Sequence, residues 1–170
     1  MSFSLVPKYS FRSLTDVSPE FLEQLGIKFL MLDLDNTIAG YSENILSDAV
    51  SLWAAEIKSS GIVLYIVSNS IRKKRVRAFA ESLGIGVIMG ARKPSPRGLL
   101  RAMAAAGHKA NDSALVGDQV FTDTLAANRA GVVSIIVEPR RMTNPFLALR
   151  YAIETPFRAA CRKRGMEVLN

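Results

Sequence analysis

The chain has 170 residues, 49% apolar and 22% charged, with a formal net charge of +7. That length suits one domain with a real core, and the balance excludes a chain disordered throughout or built from fixed-period repeats. The lone Cys161 excludes an internal disulfide and fits a reducing cytoplasm, and no apolar run approaches the roughly 20 residues of a membrane span. The first residues, MSFSLVPKYSFRSL, lack a basic segment followed by a long apolar core, so no signal peptide is expected.

In chain order, Ser18-Pro19 places a capping hydroxyl before a proline and predicts a helix start. Phe29–Leu32, four consecutive large apolar residues, reads as a strand covered on both faces. Between Ile45 and Ser60, Leu46, Val50, Trp53 and Ile57 recur at spacings of four, three and four, an apolar stripe that makes Trp53 a core residue. Ile62–Val67 is a second strand, Arg72–Leu83 a helix and Val87–Met89 a third strand. Ser95-Pro96 starts another helix, followed by a strand at Ala114–Val116, a helix at Thr122–Ala130 and a strand at Val132–Val137. This alternation implies an α/β fold, an open three-layer α/β/α sandwich around a central parallel sheet. His108, in AAAGHKAND, falls at a helix exit and is expected at the surface.

The tail reads differently. From Pro139 to Asn170 there are seven basic residues (Arg140, Arg141, Arg150, Arg158, Arg162, Lys163, Arg164) and two acidic ones (Glu154, Glu167), a local excess of +5. We therefore divide the chain into a main domain, 1–138, and a basic helical tail, 139–170. Asn144-Pro145 and Thr155-Pro156 predict two helices, because a proline at 156 interrupts a continuous one. Phe146, Leu149, Ile153 and Phe157 form an apolar stripe expected to pack on the domain, with contact to an anionic membrane as the rival reading.

In open parallel sheets, ligands bind beyond the carboxyl ends of the strands. There FLMLDLDNTIAG ends the first strand in Asp33 and Asp35, two carboxylates that point the same way along an extended chain. Such like charges repel unless a cation or proton intervenes, so the stretch asks for a metal, an acid/base pair, or both. YIVSNS ends the next strand in Ser68 and Asn69, GARKPSP supplies Lys93, and ALVGDQVFTD supplies Asp118 and Asp123. Four of the seven aspartates thus lie in two strand-end stretches, and the ordered set points to phosphoryl transfer.

DLDNT, SNS, KP and GDQVFTD together resemble the four motifs of the haloacid dehalogenase superfamily, in its Asp-x-Asp-Asn-Thr phosphatase branch (subfamily IIIA), over about Val17 to Val137. SPEFLEQLGIKFLMLDLDNT and GDQVFTDTLAANRAG are similar, more narrowly, to the YqeG-type bacterial proteins, relatives of the mitochondrial phosphatidylglycerophosphate phosphatases. The resemblance implies a phosphatase with Asp33 as nucleophile and Asp35 as general acid and base. It implies Mg²⁺ held by Asp33, Asp118 and the backbone carbonyl of Asp35, with Asp123 as an additional acid near the metal. Lys93, Ser68 and Asn69 fall on its phosphate-binding positions, and Asn36 and Thr37 shape the loop.

Only 32 residues separate Asp35 from Ser68, and they must supply a loop, a helix and a strand, so no cap domain is expected. An open site suits a substrate with its own bulk, such as a phospholipid head group, and phosphatidylglycerophosphate fits both the opening and the basic tail. The tail then makes a peripheral contact with the inner membrane face. The alternatives are a soluble sugar or nucleotide phosphate as substrate, and a non-catalytic phosphate-binding protein. Processing of nucleic-acid ends is disfavoured because no recognised nucleic-acid-binding motif accompanies the tail. The oligomeric state is left open.

Overall fold

In the computed structural model, residues 4–141 and 145–163 are described. Six strands, β1 (Tyr9–Phe11), β2 (Phe29–Leu32), β3 (Val63–Ser68), β4 (Gly86–Met89), β5 (Ser113–Gly117) and β6 (Val133–Val137), form one sheet in the order β1-β6-β5-β2-β3-β4. Every neighbouring pair is parallel. The helices are α1 (Pro19–Gln24), α2 (Asp48–Ser59), α3 (Lys73–Leu83), α4 (Arg97–Ala106), α5 (Leu125–Ala130) and α6 (Pro145–Lys163).

The period of two along β2 divides the core between the two faces of the sheet. Leu30 and Leu32 pack in one cluster with Trp53 and Ile57 of α2 and Val76 and Phe79 of α3. Phe29 and Met31 face the other way, into a cluster with Leu99 and Ala102 of α4 and Ala126 of α5. All four β2 side chains are fully buried, each stabilising the fold by about 1.5–3 kcal/mol relative to exposure, which is why the strand reads as an unbroken apolar run. Trp53 lies in the core as expected, and its indole N–H donates to the Val17 carbonyl at 2.8 Å. The connections leaving β2 (33–47) and β3 (69–72) contain no helix and no sheet strand, so no cap domain covers the carboxyl edge.

Several expectations need correction. β1 was not anticipated, because three residues at a sheet edge leave no apolar run to detect. Ser18 caps α1 as predicted, accepting from the Phe21 N–H, but Pro96 takes the capping position of α4, which starts at Arg97. His108 is half-buried, with its ring stacked 5.2 Å from Phe29 and Nδ1 3.0 Å from Asp112, at the end of β2 remote from Asp33.

The tail departs furthest from expectation. α6 runs unbroken through Pro156, with contacts holding it on both sides of that residue. Leu147 and Glu154 are buried before it, and Arg158 and Cys161 after it. These residues, not the apolar stripe, form the docked face. Phe146, Leu149 and Ile153 are 71%, 61% and 53% exposed, whereas Phe157 of the stripe is half-buried and meets the domain edge-on at Phe121. Asn144, Arg164 and Glu167 lie outside the described residues.

Candidate active site

β2 sets the site. The Asp33 N–H still bonds to the Val116 carbonyl of β5 at 2.9 Å, so its carboxylate leaves a backbone fixed by the sheet. Three residues on, Asn36 takes a left-handed conformation (φ 63°) and turns the chain back, with its N–H bonded to the Ala39 carbonyl. Its side-chain amide donates to the Arg141 carbonyl, tying the loop to the chain beyond β6. Asp35 Oδ1 lies 2.6 Å from Arg75 Nη1, and the same buried guanidinium donates to the Gly40 and Glu43 carbonyls. Arg75 thereby fixes both Asp35 and the path of the loop behind it.

The other strand ends close around this pair. Asn69, after β3, exchanges two 2.8 Å hydrogen bonds with the backbone of Lys93. Lys93 Nζ then sits between Asp33 Oδ1 at 2.6 Å and Asp123 Oδ1 at 2.7 Å. After β5 the chain passes Asp118 and enters a π-helical turn, Val120–Thr124, which carries Asp123 back over Gly117. A Cβ on Gly117 would lie 2.3 Å from Asp123 Cγ, so only glycine admits that approach. Ser68 is buried, its hydroxyl accepting from the Ser70 N–H, while Asn69 and Ser70 line the cavity.

Ligand atoms of Asp33, Asp118 and Asp123 lie within 4.8 Å of one another, all three residues buried. Burial first, then mutual repulsion, raises the Asp118 carboxyl well above its usual range, despite Arg150 and Arg158 nearby. Asp33 rises to about 7, chiefly through burial, with Lys93 opposing. Burial works against the charge of Lys93, yet Asp123 and Asp33 outweigh it and push the ammonium above the ordinary lysine range. Neither oxygen of Asp118 has a hydrogen-bond partner among the described residues, although the residue is 1% exposed. Three buried oxygen donors, one with both oxygens unsatisfied, fit a hard divalent cation. The Asp35 side chain lies outside that cluster, committed to Arg75.

α6 closes the site from behind. Arg158 donates to the Asp118 and Val137 carbonyls. Glu154 accepts from the Phe121 N–H, and Arg150 Nη2 lies 3.7 Å from Asp118 Oδ2. A cavity of about 380 Å³ opens over the whole assembly, walled by Asp33, Asp35, Tyr41, Asn69, Lys93 and Asp123 among others. Sequence reasoning missed Arg75 and the α6 network. Arg75 shares the buried face of α3 with Val76, Phe79 and Leu83, which is the one sign that it is not a solvated charge. Arg150, Glu154 and Arg158 recur every four residues but were read only as part of a basic tail.

A family profile described as hydrolase, haloacid dehalogenase-like hydrolase, matches residues 8–131. A Bacillus subtilis (strain 168) protein described as "Probable phosphatase YqeG" is 32% identical over 161 residues, covering 94% of this chain and 93% of its own. The chloroplastic/mitochondrial phosphatidylglycerophosphate phosphatase 1 of Arabidopsis thaliana is 27% identical over 84% of this chain, which spans only 44% of that relative. Among solved structures, the cobalt-bound deoxy-D-mannose-octulosonate 8-phosphate phosphatase of Haemophilus influenzae superposes with a TM-score of 0.55. It is 17% identical, over 79% of this chain and 91% of that one, a likeness of fold.

Proposed function

The chain belongs to the haloacid dehalogenase-like hydrolases and is a phosphatase of that family; from this premise we propose that it hydrolyses phosphomonoesters through an aspartyl-phosphate on Asp33, with Mg²⁺, and that its substrate is phosphatidylglycerophosphate. The observation that carries the mechanism is the buried cluster of Asp33, Asp118 and Asp123 with Lys93 Nζ between two of its members.

Asp33 attacks phosphorus, and the P–O bond to the leaving alcohol breaks as Asp35 gives that oxygen a proton. Water then attacks the phosphorus of the acyl phosphate, passing a proton to Asp35 and regenerating the Asp33 carboxylate. Arg75 keeps Asp35 aimed through both half-reactions, at 2.6 Å. Lys93 offsets the negative charge gathered on Asp33 and the phosphoryl oxygens, while Ser68, Asn69 and nearby backbone N–H groups bind those oxygens. Asp33, Asp118, Asp123 and the Asp35 carbonyl would hold Mg²⁺, which screens the repulsion between carboxylate and phosphate and keeps Asp33 ionised.

The lipid assignment draws on the uncapped cavity and on the Arabidopsis relative. No helix among the described residues is long and apolar enough to cross a membrane. The test is Mg²⁺-dependent phosphate release from phosphatidylglycerophosphate in mixed micelles, beside soluble sugar and nucleotide phosphates, with Asp33→Asn as control. Lipid turnover abolished in the variant supports the whole reading. Turnover confined to soluble esters keeps the chemistry and removes the lipid, and no turnover of any ester leaves a phosphate-binding protein.

A further inference from the structure

A second cavity, of about 620 Å³, adjoins the first at Ile71 and Arg72, which line both. Its charge differs from its neighbour's. The catalytic cavity sets three carboxylates, Asp33, Asp35 and Asp123, beside Lys93 and the shared Arg72. The second has none: Arg72, Lys73 and Lys74 line it, with Arg75 beneath. Arg72 is held in place, donating to the Tyr41 carbonyl at 2.7 Å and to Asn44 Oδ1 at 3.0 Å. Lys73 and Lys74 are exposed, and neither meets a carboxylate among the described residues. Ile71, at the junction, is 93% exposed.

We propose that this cavity is a subsite for a second anionic group, a phosphodiester, on the alcohol side of the substrate's scissile monoester. The inference rests on the phosphomonoesterase reading and deepens it by placing the phosphodiester that such a substrate carries. With the reacting phosphoryl group over Asp33, the leaving alcohol must extend out of an acidic cavity. The basic cavity shares a wall with it and, with no carboxylate in its lining, attracts a second anion. Ile71 offers an apolar contact to whatever carries the diester across the junction.

Binding is read in Asp33→Asn protein with Mg²⁺, so that no turnover intervenes. Calorimetry compares glycerol 3-phosphate with glycerophosphoglycerol phosphate, the soluble molecule that joins a monoester to a phosphodiester, at about 0.1 M salt. The subsite predicts that the second ligand binds about tenfold tighter or better, and that adding Lys73→Gln and Lys74→Gln removes the advantage while leaving glycerol 3-phosphate within about twofold. Equal affinity for the two ligands, no binding of either, or an equal loss for both in the lysine variant overturns it. Phosphate release by the unmutated protein is scored separately. Tight binding of the diester-bearing ligand without turnover keeps the subsite and rejects the phosphatase mechanism. Turnover of both ligands with equal affinity does the reverse. Ile71→Ser tells the two sources of the anion apart: a loss seen only with micellar phosphatidylglycerophosphate marks a lipid, no loss on either form marks a soluble substrate, and the subsite stands in both cases.

Discussion

Arg75 reaches three acceptors with one buried guanidinium, and all three belong to the loop that follows Asp33. Lysine has no fork to replace it, so Arg75→Lys should lower kcat on a soluble monoester by about a hundredfold with little change in KM, through loss of aim at Asp35. Arg75→Met should in addition cost about 3–5 kcal/mol in denaturant unfolding, since it leaves Asp35 unpaired. At Gly117 the expected failure is steric. Gly117→Ala should drive Asp123 off Lys93 and abolish metal-dependent phosphate release, while circular dichroism stays that of the parent. The carboxylates and Lys93 were legible because strand ends of a parallel sheet are where chemistry is sought. Arg75 was not, because a charged helix residue is ordinarily solvated and only its place on the apolar face of α3 argues otherwise.

α6 shows what hydrophobic periodicity cannot see. Its docked seam is built from Leu147, Glu154, Arg158 and Cys161, half of them charged, so the pattern that found α2 by its apolar stripe picked the exposed side of α6. Pro156 misled for a related reason: buried contacts at Glu154 and Arg158 outweigh the one backbone hydrogen bond a proline removes. The helix lies beyond the residues the family profile matches, yet it grips the carbonyl of Asp118. Arg158→Met should therefore raise the Mg²⁺ dissociation constant, measured by calorimetry, by about tenfold, with substrate KM at saturating metal unchanged and partial recovery in Arg158→Lys. The remaining elements were legible because β2 to β6 are mostly apolar, β-branched runs that alternate with stretches of helical periodicity. β1, three residues long, offered nothing to find.

The acidic cluster couples the whole domain to pH and metal. Asp33 holds its proton up to about 7 in the folded protein, against an ordinary 3.8, and Asp118 is raised too. Between about pH 4 and 7 the folded state therefore binds more protons than the unfolded one, and this contribution to stability falls as pH rises. Metal-free protein should melt lower at about pH 7.5 than at about pH 5.5 on account of this cluster, and Asp118→Asn should flatten that slope and raise the Tm at the higher pH by about 3–6 °C. Mg²⁺ at a hundred times its Kd should add about 2.7 kcal/mol, or about 5–10 °C, to the unmutated protein and little to Asp118→Asn; calorimetric scans read both. The sheet order has a consequence for synthesis. β1 emerges from the ribosome before the other five strands, yet the strand it pairs with is β6, whose pairing residues begin at Ile135. Through most of translation Tyr9–Phe11 lacks the strand it pairs with, and a nascent chain arrested before β6 presents that unpaired backbone to chaperones and proteases.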